Sequence, residues 1–373
     1  MDDAYPAGPI ERSERCDRIR LYRSENVGPT TFAQLLARFG SAGTALDALP
    51  ELSRRGGLSR SIRICTEQAA ERELADAESL GLALVVSGED RYPPLLRHAD
   101  GAPPFLYVAG NLAALGKNIV AIVGARNASA AGRRIASDIA SGLGAAGLVV
   151  ASGLARGIDT AAHQASLATG TVAVLAGGLA RIYPPENEDL ADRIKESGAL
   201  VSEMPPSYEA RARDFPRRNR IVSALGLGVV VIEAAARSGS LITARLAGEQ
   251  GRDLFAVPGS PLDPRSEGTN RLIREGATLV RHAGDILEAL EGVNRHPVTP
   301  PTPIVSEPTD HDLESGDGVR EAVAVALSFT PVSIDEVARQ TDLPVSVVQL
   351  ALTELELAGR ASRLSGGMAS LKA

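Results

Sequence analysis

Between residues 117 and 291, short uninterrupted apolar runs alternate with stretches whose apolar positions recur at helical spacing. The runs cover 119–123, 148–151, 172–175, 200–202, 229–232, 254–257 and 278–280. Each is continuous rather than alternating, so each predicts a strand buried on both faces. Helical patterns follow, for example over 130–144, 159–169 and 241–250. Such alternation predicts right-handed βαβ units and an α/β domain with a doubly wound, mostly parallel sheet over 117–291.

The flanks read differently. Residues 1–14 predict a flexible N-terminus. Residues 15–80 read as helices, with apolar periodicity around Ile19, Leu21, Phe32, Leu35 and Leu36. The segment Asn26-Val27-Gly28-Pro29-Thr30-Thr31 joins two of them. A tight glycine turn before a helix is how a helix-hairpin-helix module aims N–H groups at phosphate, though a plain helical turn reads as well. Residues 81–116 form a proline-rich connector. Prolines among acids over 292–317 predict a disordered linker. Residues 318–373 read as three helices and a Gly366-Gly367 turn, the order of a winged helix. Behind such a tether the winged helix is expected to behave as an independent unit. Its second helix, 346–355, carries no lysine or arginine, so it is expected to add little to polyanion binding.

Composition narrows the chemistry. The chain has 373 residues, enough for two or three domains, and a net charge of −7. That charge disfavours a chain-wide affinity for polyanions, so any such site must be a local patch. Only Lys117, Lys195 and Lys372 are lysines, and arginine forks grip phosphate in two places. The same bias, running through the whole chain, is also a mark of genomic composition. Cys16 and Cys65 form no C-x-x-C pair, which argues against a disulfide scaffold or zinc site. Residues 1–13 carry no apolar signal segment, and no apolar run approaches the roughly 20 residues of a membrane span. A cytoplasmic location away from membranes is expected.

Ligands of an open parallel sheet bind beyond the carboxyl ends of its strands. Those ends read Gly124-Ala125-Arg126, Ser152-Gly153 with Arg156-Gly157, Gly177-Gly178, Ser238-Gly239-Ser240 and Pro258-Gly259-Ser260. A row of small residues before helices lets backbone approach several consecutive phosphates. The densest basic cluster, Arg211, Arg213, Arg217, Arg218 and Arg220 with Asn219, lies beside that edge. Tyr183 and Phe215 are the aromatic candidates for base stacking.

Other chemistry finds little support. No G-x-G-x-x-G follows the first strand, and no acid ends the second, which argues against a dinucleotide. Walker A and G-x-S-x-G patterns are missing, and the five histidines have no metal spacing. Asp159 and His163, one helical turn apart, read as a helix cap and its neighbour rather than an acid/base pair. No cofactor, metal or catalytic residue is expected.

Taken in order, these motifs resemble the DprA/Smf family. They include Ser152-Gly153-Leu154-Ala155-Arg156-Gly157-Ile158-Asp159, Tyr183-Pro184-Pro185-Glu186-Asn187, Phe215-Pro216-Arg217-Arg218-Asn219-Arg220, Glu233-Ala234 and Ser238-Gly239-Ser240-Leu241-Ile242-Thr243. The resemblance implies a Rossmann-like domain, an N-terminal SAM or helix-hairpin-helix-like module and a C-terminal winged helix. It also implies a non-enzymatic recombination mediator that binds single-stranded DNA, forms a homodimer through the Rossmann-like domain and loads RecA recombinase in natural transformation. Gly124 and Arg126 match the family's phosphate pocket. Pro185 stands where members often have a DNA-contacting lysine, which weakens the pocket unless an arginine such as Arg181 substitutes.

The enzymatic alternative is a nucleotide phosphoribohydrolase of the lysine-decarboxylase-like Rossmann group. It would need a P-G-G-x-G-T loop and a nearby glutamate. Pro258-Gly259-Ser260-Pro261 departs from that loop, and Glu233 is the one comparable acid.

Overall fold

The computed structural model describes residues 10–293, 316–364 and 366–372. Of the flexible N-terminus predicted over 1–14, residues 1–9 lie outside the described residues, whereas 12–14 belong to the first helix; most of the predicted linker also lies outside the described residues. In chain order the helices are α1 Arg12–Arg23, α2 Pro29–Phe39, α3 Ala42–Arg55, α4 Glu67–Ser79, α5 Pro94–Arg97, α6 Ala130–Ala145, α7 Ile158–Ser166, α8 Glu188–Ser197, α9 Asp214–Leu225, α10 Ser240–Glu249, α11 Glu267–Arg274, α12 Ala283–Val293, α13 Asp317–Ala326, α14 Ile334–Thr341 and α15 Val345–Leu357. The strands are β1 Ala83–Val86, β2 Phe105–Gly110, β3 Ile119–Gly124, β4 Val149–Ser152, β5 Thr171–Val174, β6 Ala199–Ser202, β7 Gly228–Ile232, β8 Asp253–Ala256, β9 Thr278–Leu279, β10 Val332–Ser333, β11 Ala361–Leu364 and β12 Met368–Leu371.

The chain folds into two compact units, the larger beginning at Glu73. Its sheet has the order β1-β2-β6-β5-β4-β3-β7-β8-β9. The pairs from β6 to β9 are parallel, as the apolar runs predict. Both faces of each inner strand are buried. Ile119, Ala121 and Val123 of β3 join one core with Ile221 and Val222 of α9 and Ala244 of α10. Val120 and Ile122 join the other, with Ile139 of α6, Ala162 of α7 and Ile286 of α12. The result is a three-layer, doubly wound α/β domain. The segment read as a mere connector supplies β1 and β2, which extend the sheet: β2 pairs antiparallel with β6, and β1 antiparallel with β2. Its prolines flank these strands rather than interrupt them, as a strand ladder requires.

Strand order reverses between β3 and β7, so the crevice at their carboxyl ends is the topological switch point.

The other unit contains both the N-terminal helices and the winged helix. Here α13, α14 and α15 pack with the small sheet β10-β12-β11 around Val323, Val337, Leu352 and Leu355. This differs from the expected independent winged helix. Helix α15 lies against α2 and α3. Thr353 Oγ1 donates to Gln34 Oε1 at 2.6 Å, Thr31 Oγ1 to Glu356 at 3.0 Å, and Asn26 Nδ2 to the Leu357 carbonyl at 3.0 Å. The partners stand about three hundred residues apart in the chain, a pairing that no local pattern discloses. A Cβ at Gly56 would lie 1.9 Å from the Glu354 carbonyl oxygen. Gly56→Ala is therefore expected to destabilise this unit by about 1–3 kcal/mol through overpacking. Urea denaturation checks it, and an unchanged midpoint would show that the two modules do not pack this closely.

Candidate functional site

At the switch point an open cleft of about 910 Å³ lies over the ends of β3 and β4. Gly124, Arg126, Asn127, Gly153, Tyr183, Phe215, Arg218, Asn219, Arg237, Ser238, Gly239 and Ser240 contribute to its lining. Thus eight of the candidate residues converge: Gly124, Arg126, Gly153, Arg218, Asn219, Ser238, Gly239 and Ser240.

Their roles differ. Arg126 is exposed, and its guanidinium carbon sits 5.4 Å from the centre of the Phe215 ring, in cation–π range. Phe215 in turn meets Tyr183 edge-on at 5.5 Å, and Tyr183 is 53% exposed. No carboxylate pairs with Arg126 among the described residues, and the residue lines the cleft. By contrast Arg218, in the same basic cluster, is buried. It donates to the Gly153 carbonyl at 2.6 Å and to the Val174 carbonyl, tying the ends of β4 and β5 together. Burial draws its pKa down to about 10. Asp159 stands beside it and accepts from the backbone N–H groups of Gly153 and Ala155 at 3.1 and 3.2 Å. Burial pushes the Asp159 carboxyl up, against the pull of Arg218.

Arg217 and Arg220 both pair with Glu203, which is 3% exposed, so part of the basic run is neutralised from below. That glutamate directly follows β6 and is the acid to weigh when counting the cluster's charge. Asn219 reaches across to the Gly239 carbonyl at 3.4 Å. Ser238 and Ser240 hydroxyls stand 2.8 Å apart at the start of α10.

The other candidates lie off the cleft. Ser152 is fully buried, its hydroxyl donating to the Ile122 carbonyl at 2.6 Å. Asn187 is buried and donates to the Leu154 carbonyl at 2.9 Å and to Thr160 at 3.0 Å. Arg156 pairs with Glu186 at the surface. Gly157 has φ +80°, and a Cβ there would lie 2.3 Å from the Ala125 carbonyl oxygen, so its task is to let α7 start beneath the Arg126 loop. Gly177 and Gly178 are covered by residues 205–210, with the Gly178 N–H donating to the Tyr208 carbonyl at 2.9 Å. Much of the glycine row therefore serves packing. Arg181 and Pro185 line a neighbouring groove of about 780 Å³ rather than the cleft, although Tyr183 borders both. Asn127, Arg237 and Arg265 complete the cleft without having been singled out. Arg237 adjoins Ser238, and the cation's place at that strand end was the available signal.

His163 is a buried structural residue. Its Nδ1 lies 2.8 Å from Thr171 Oγ1, and its Nε2 has no partner among the described residues. Burial, with Arg218 nearby, pushes its pKa down to about 3. The unfolded chain takes up this proton near pH 6.5 and the folded chain does not, so stability is full above that pH and falls as pH drops from about 6.5 towards 3. Between pH 6.5 and 4.5 the wild type is expected to lose about 1 kcal/mol per pH unit more than His163→Gln. Denaturant midpoints across that range check this, and parallel pH profiles would contradict it.

The fold and cleft define a class: a doubly wound α/β protein with an arginine-rimmed crevice at its switch point, joined to a helical module and a winged helix. The family model of DNA recombination-mediator protein A matches residues 83–291, that of the DprA-like N-terminal HHH domain 12–76, and that of the DprA winged helix domain 307–367. Protein Smf of Escherichia coli is 41% identical over 310 residues, covering 82% of each chain. The solved structure of DNA processing protein A from Streptococcus pneumoniae matches with a TM-score of 0.61 at 35% identity, covering 75% of this chain and 98% of that one. That of DNA processing protein A from Helicobacter pylori, described for its single-stranded DNA binding mode, matches with a TM-score of 0.51 at 29% identity, covering 54% and 93%. The chain belongs to the DprA/Smf family of DNA-processing recombination mediators.

Proposed function

We propose that the switch-point cleft binds the backbone of single-stranded DNA without sequence preference. The chain then delivers that strand to RecA recombinase as a mediator in natural transformation. The carrying observation is Arg126, without a carboxylate partner among the described residues and laid over Phe215 beside exposed Tyr183. A guanidinium grips phosphate, and an adjoining aromatic pair offers bases a stacking face worth about 1–3 kcal/mol per base. Duplex DNA hides those base faces, so a single strand fits better. The Helicobacter pylori relative's single-stranded DNA binding supports the same reading.

In this reading the protein works in the cytoplasm, without a cofactor, as a homodimer through its Rossmann-like domain. Among the described residues no helix is long and apolar enough to cross a membrane. The enzymatic alternative loses its acid, because Glu233 is committed to the backbone and hydroxyl of Ser129. Incubation with AMP is expected to release no adenine.

The test is a salt titration of the full chain against single-stranded and duplex oligonucleotides. Tighter binding to the single strand, equal for different base compositions, is expected. Equal or tighter duplex binding would sink the proposal.

A further inference from the structure

Glu233 follows β7 directly, and it holds φ +52°, left-handed backbone that a residue with a side chain rarely adopts. That turn sends its carboxylate across to the start of α6. There it accepts the Ser129 N–H at 2.9 Å and the Ser129 hydroxyl. The same hydroxyl accepts the Gly132 N–H at 2.9 Å, so the carboxylate and the capping serine close the first turn of α6 together. A Cβ at Gly132 would lie 2.5–2.7 Å from the carboxylate atoms, so the helix is built to receive it.

The loop so pinned is the one that carries Arg126. Its other end is also held by β7, since the Ala125 N–H donates to the Ile232 carbonyl at 3.3 Å. Two consecutive residues, Ile232 and Glu233, therefore clamp the chain on either side of Arg126. The Ala125 carbonyl meanwhile accepts the Ile158 N–H at 3.2 Å. Of these ties, that of Glu233 is the one made by a side chain and so the one that evolution or mutation can remove alone.

We propose that Glu233 is a positioning residue for single-stranded DNA binding, acting through the placement of Arg126 over Phe215. The inference rests on the cleft reading above. Its test is a double-mutant cycle on the full chain, with binding of an oligo(dT) strand measured at one fixed salt for wild type, Arg126→Ala, Glu233→Ala and the double variant. Glu233→Ala is expected to weaken binding about tenfold, and to cost less than about twofold more once Arg126 is already alanine. Glu233→Gln keeps an acceptor for the Ser129 N–H and is expected to stay within about threefold of wild type. If Glu233→Ala fails to fold, the same cycle with Glu233→Gln and Glu233→Asp takes its place, with coupling to Arg126→Ala as the readout. Equal losses in both backgrounds would overturn the positioning role while leaving the cleft reading intact. An Arg126→Ala chain that binds like wild type would overturn the cleft reading, and the inference with it.

Discussion

Replacing Arg218 by leucine is expected to lower the stability of the sheet domain by about 3–5 kcal/mol, because it leaves a buried carboxylate without its counter-charge. Arg218 is 6% exposed and donates to two strand-end carbonyls, those of Gly153 and Val174. Losing it strands those acceptors in the interior and removes the cation beside Asp159, which is also buried. Chemical denaturation of the variant measures the loss. A variant with an unchanged midpoint but weakened DNA binding would instead make Arg218 a DNA contact.

Arg126→Glu is expected to do the opposite: to leave the midpoint within about 0.5 kcal/mol of wild type, as surface changes do, and to weaken single-stranded DNA binding about a hundredfold. The residue is exposed, and its guanidinium lies over the Phe215 ring. Reversal removes a phosphate partner and adds a repelling charge in its place. Loss of one phosphate contact also lowers the salt slope by roughly 0.7 for a single strand. Binding isotherms at several salt concentrations read both effects. An unchanged slope with a lowered midpoint would assign Arg126 to structure.

These two arginines mark the boundary of what the sequence discloses. The strands of the doubly wound sheet were legible because a strand buried on both faces must be apolar throughout, and 119–123 or 229–232 satisfy that without reference to anything distant. β1 and β2 were not, because their short runs sit among the prolines of a segment that also resembles a connector. Within the site, residue type and position at a strand end pointed to the edge of the sheet where the cleft lies. They could not rank Arg126 against Arg218, since burial, not composition, makes one a ligand candidate and the other a cross-brace. Nor could they show that Glu203 sits beneath Arg217 and Arg220, a pairing between segments about fifteen residues apart. Glycine was ambiguous for the same reason. A Cβ at Gly124 would lie 1.9 Å from the Ile232 carbonyl oxygen, whereas one at Gly239 would meet nothing within 4 Å. Only the second leaves room for a ligand. The packing of α15 on α2 and α3 lay beyond any local pattern.

The central claim is that a single strand lies in the cleft with bases against Tyr183 and Phe215. Ultraviolet crosslinking of the full chain to oligo(dT), followed by mapping of the modified peptides, tests it most directly. Crosslinks at Phe215 and Tyr183, lost in Arg126→Glu, are the predicted result. Crosslinks confined to residues 10–72 or 316–372, with none in 120–243, would contradict it.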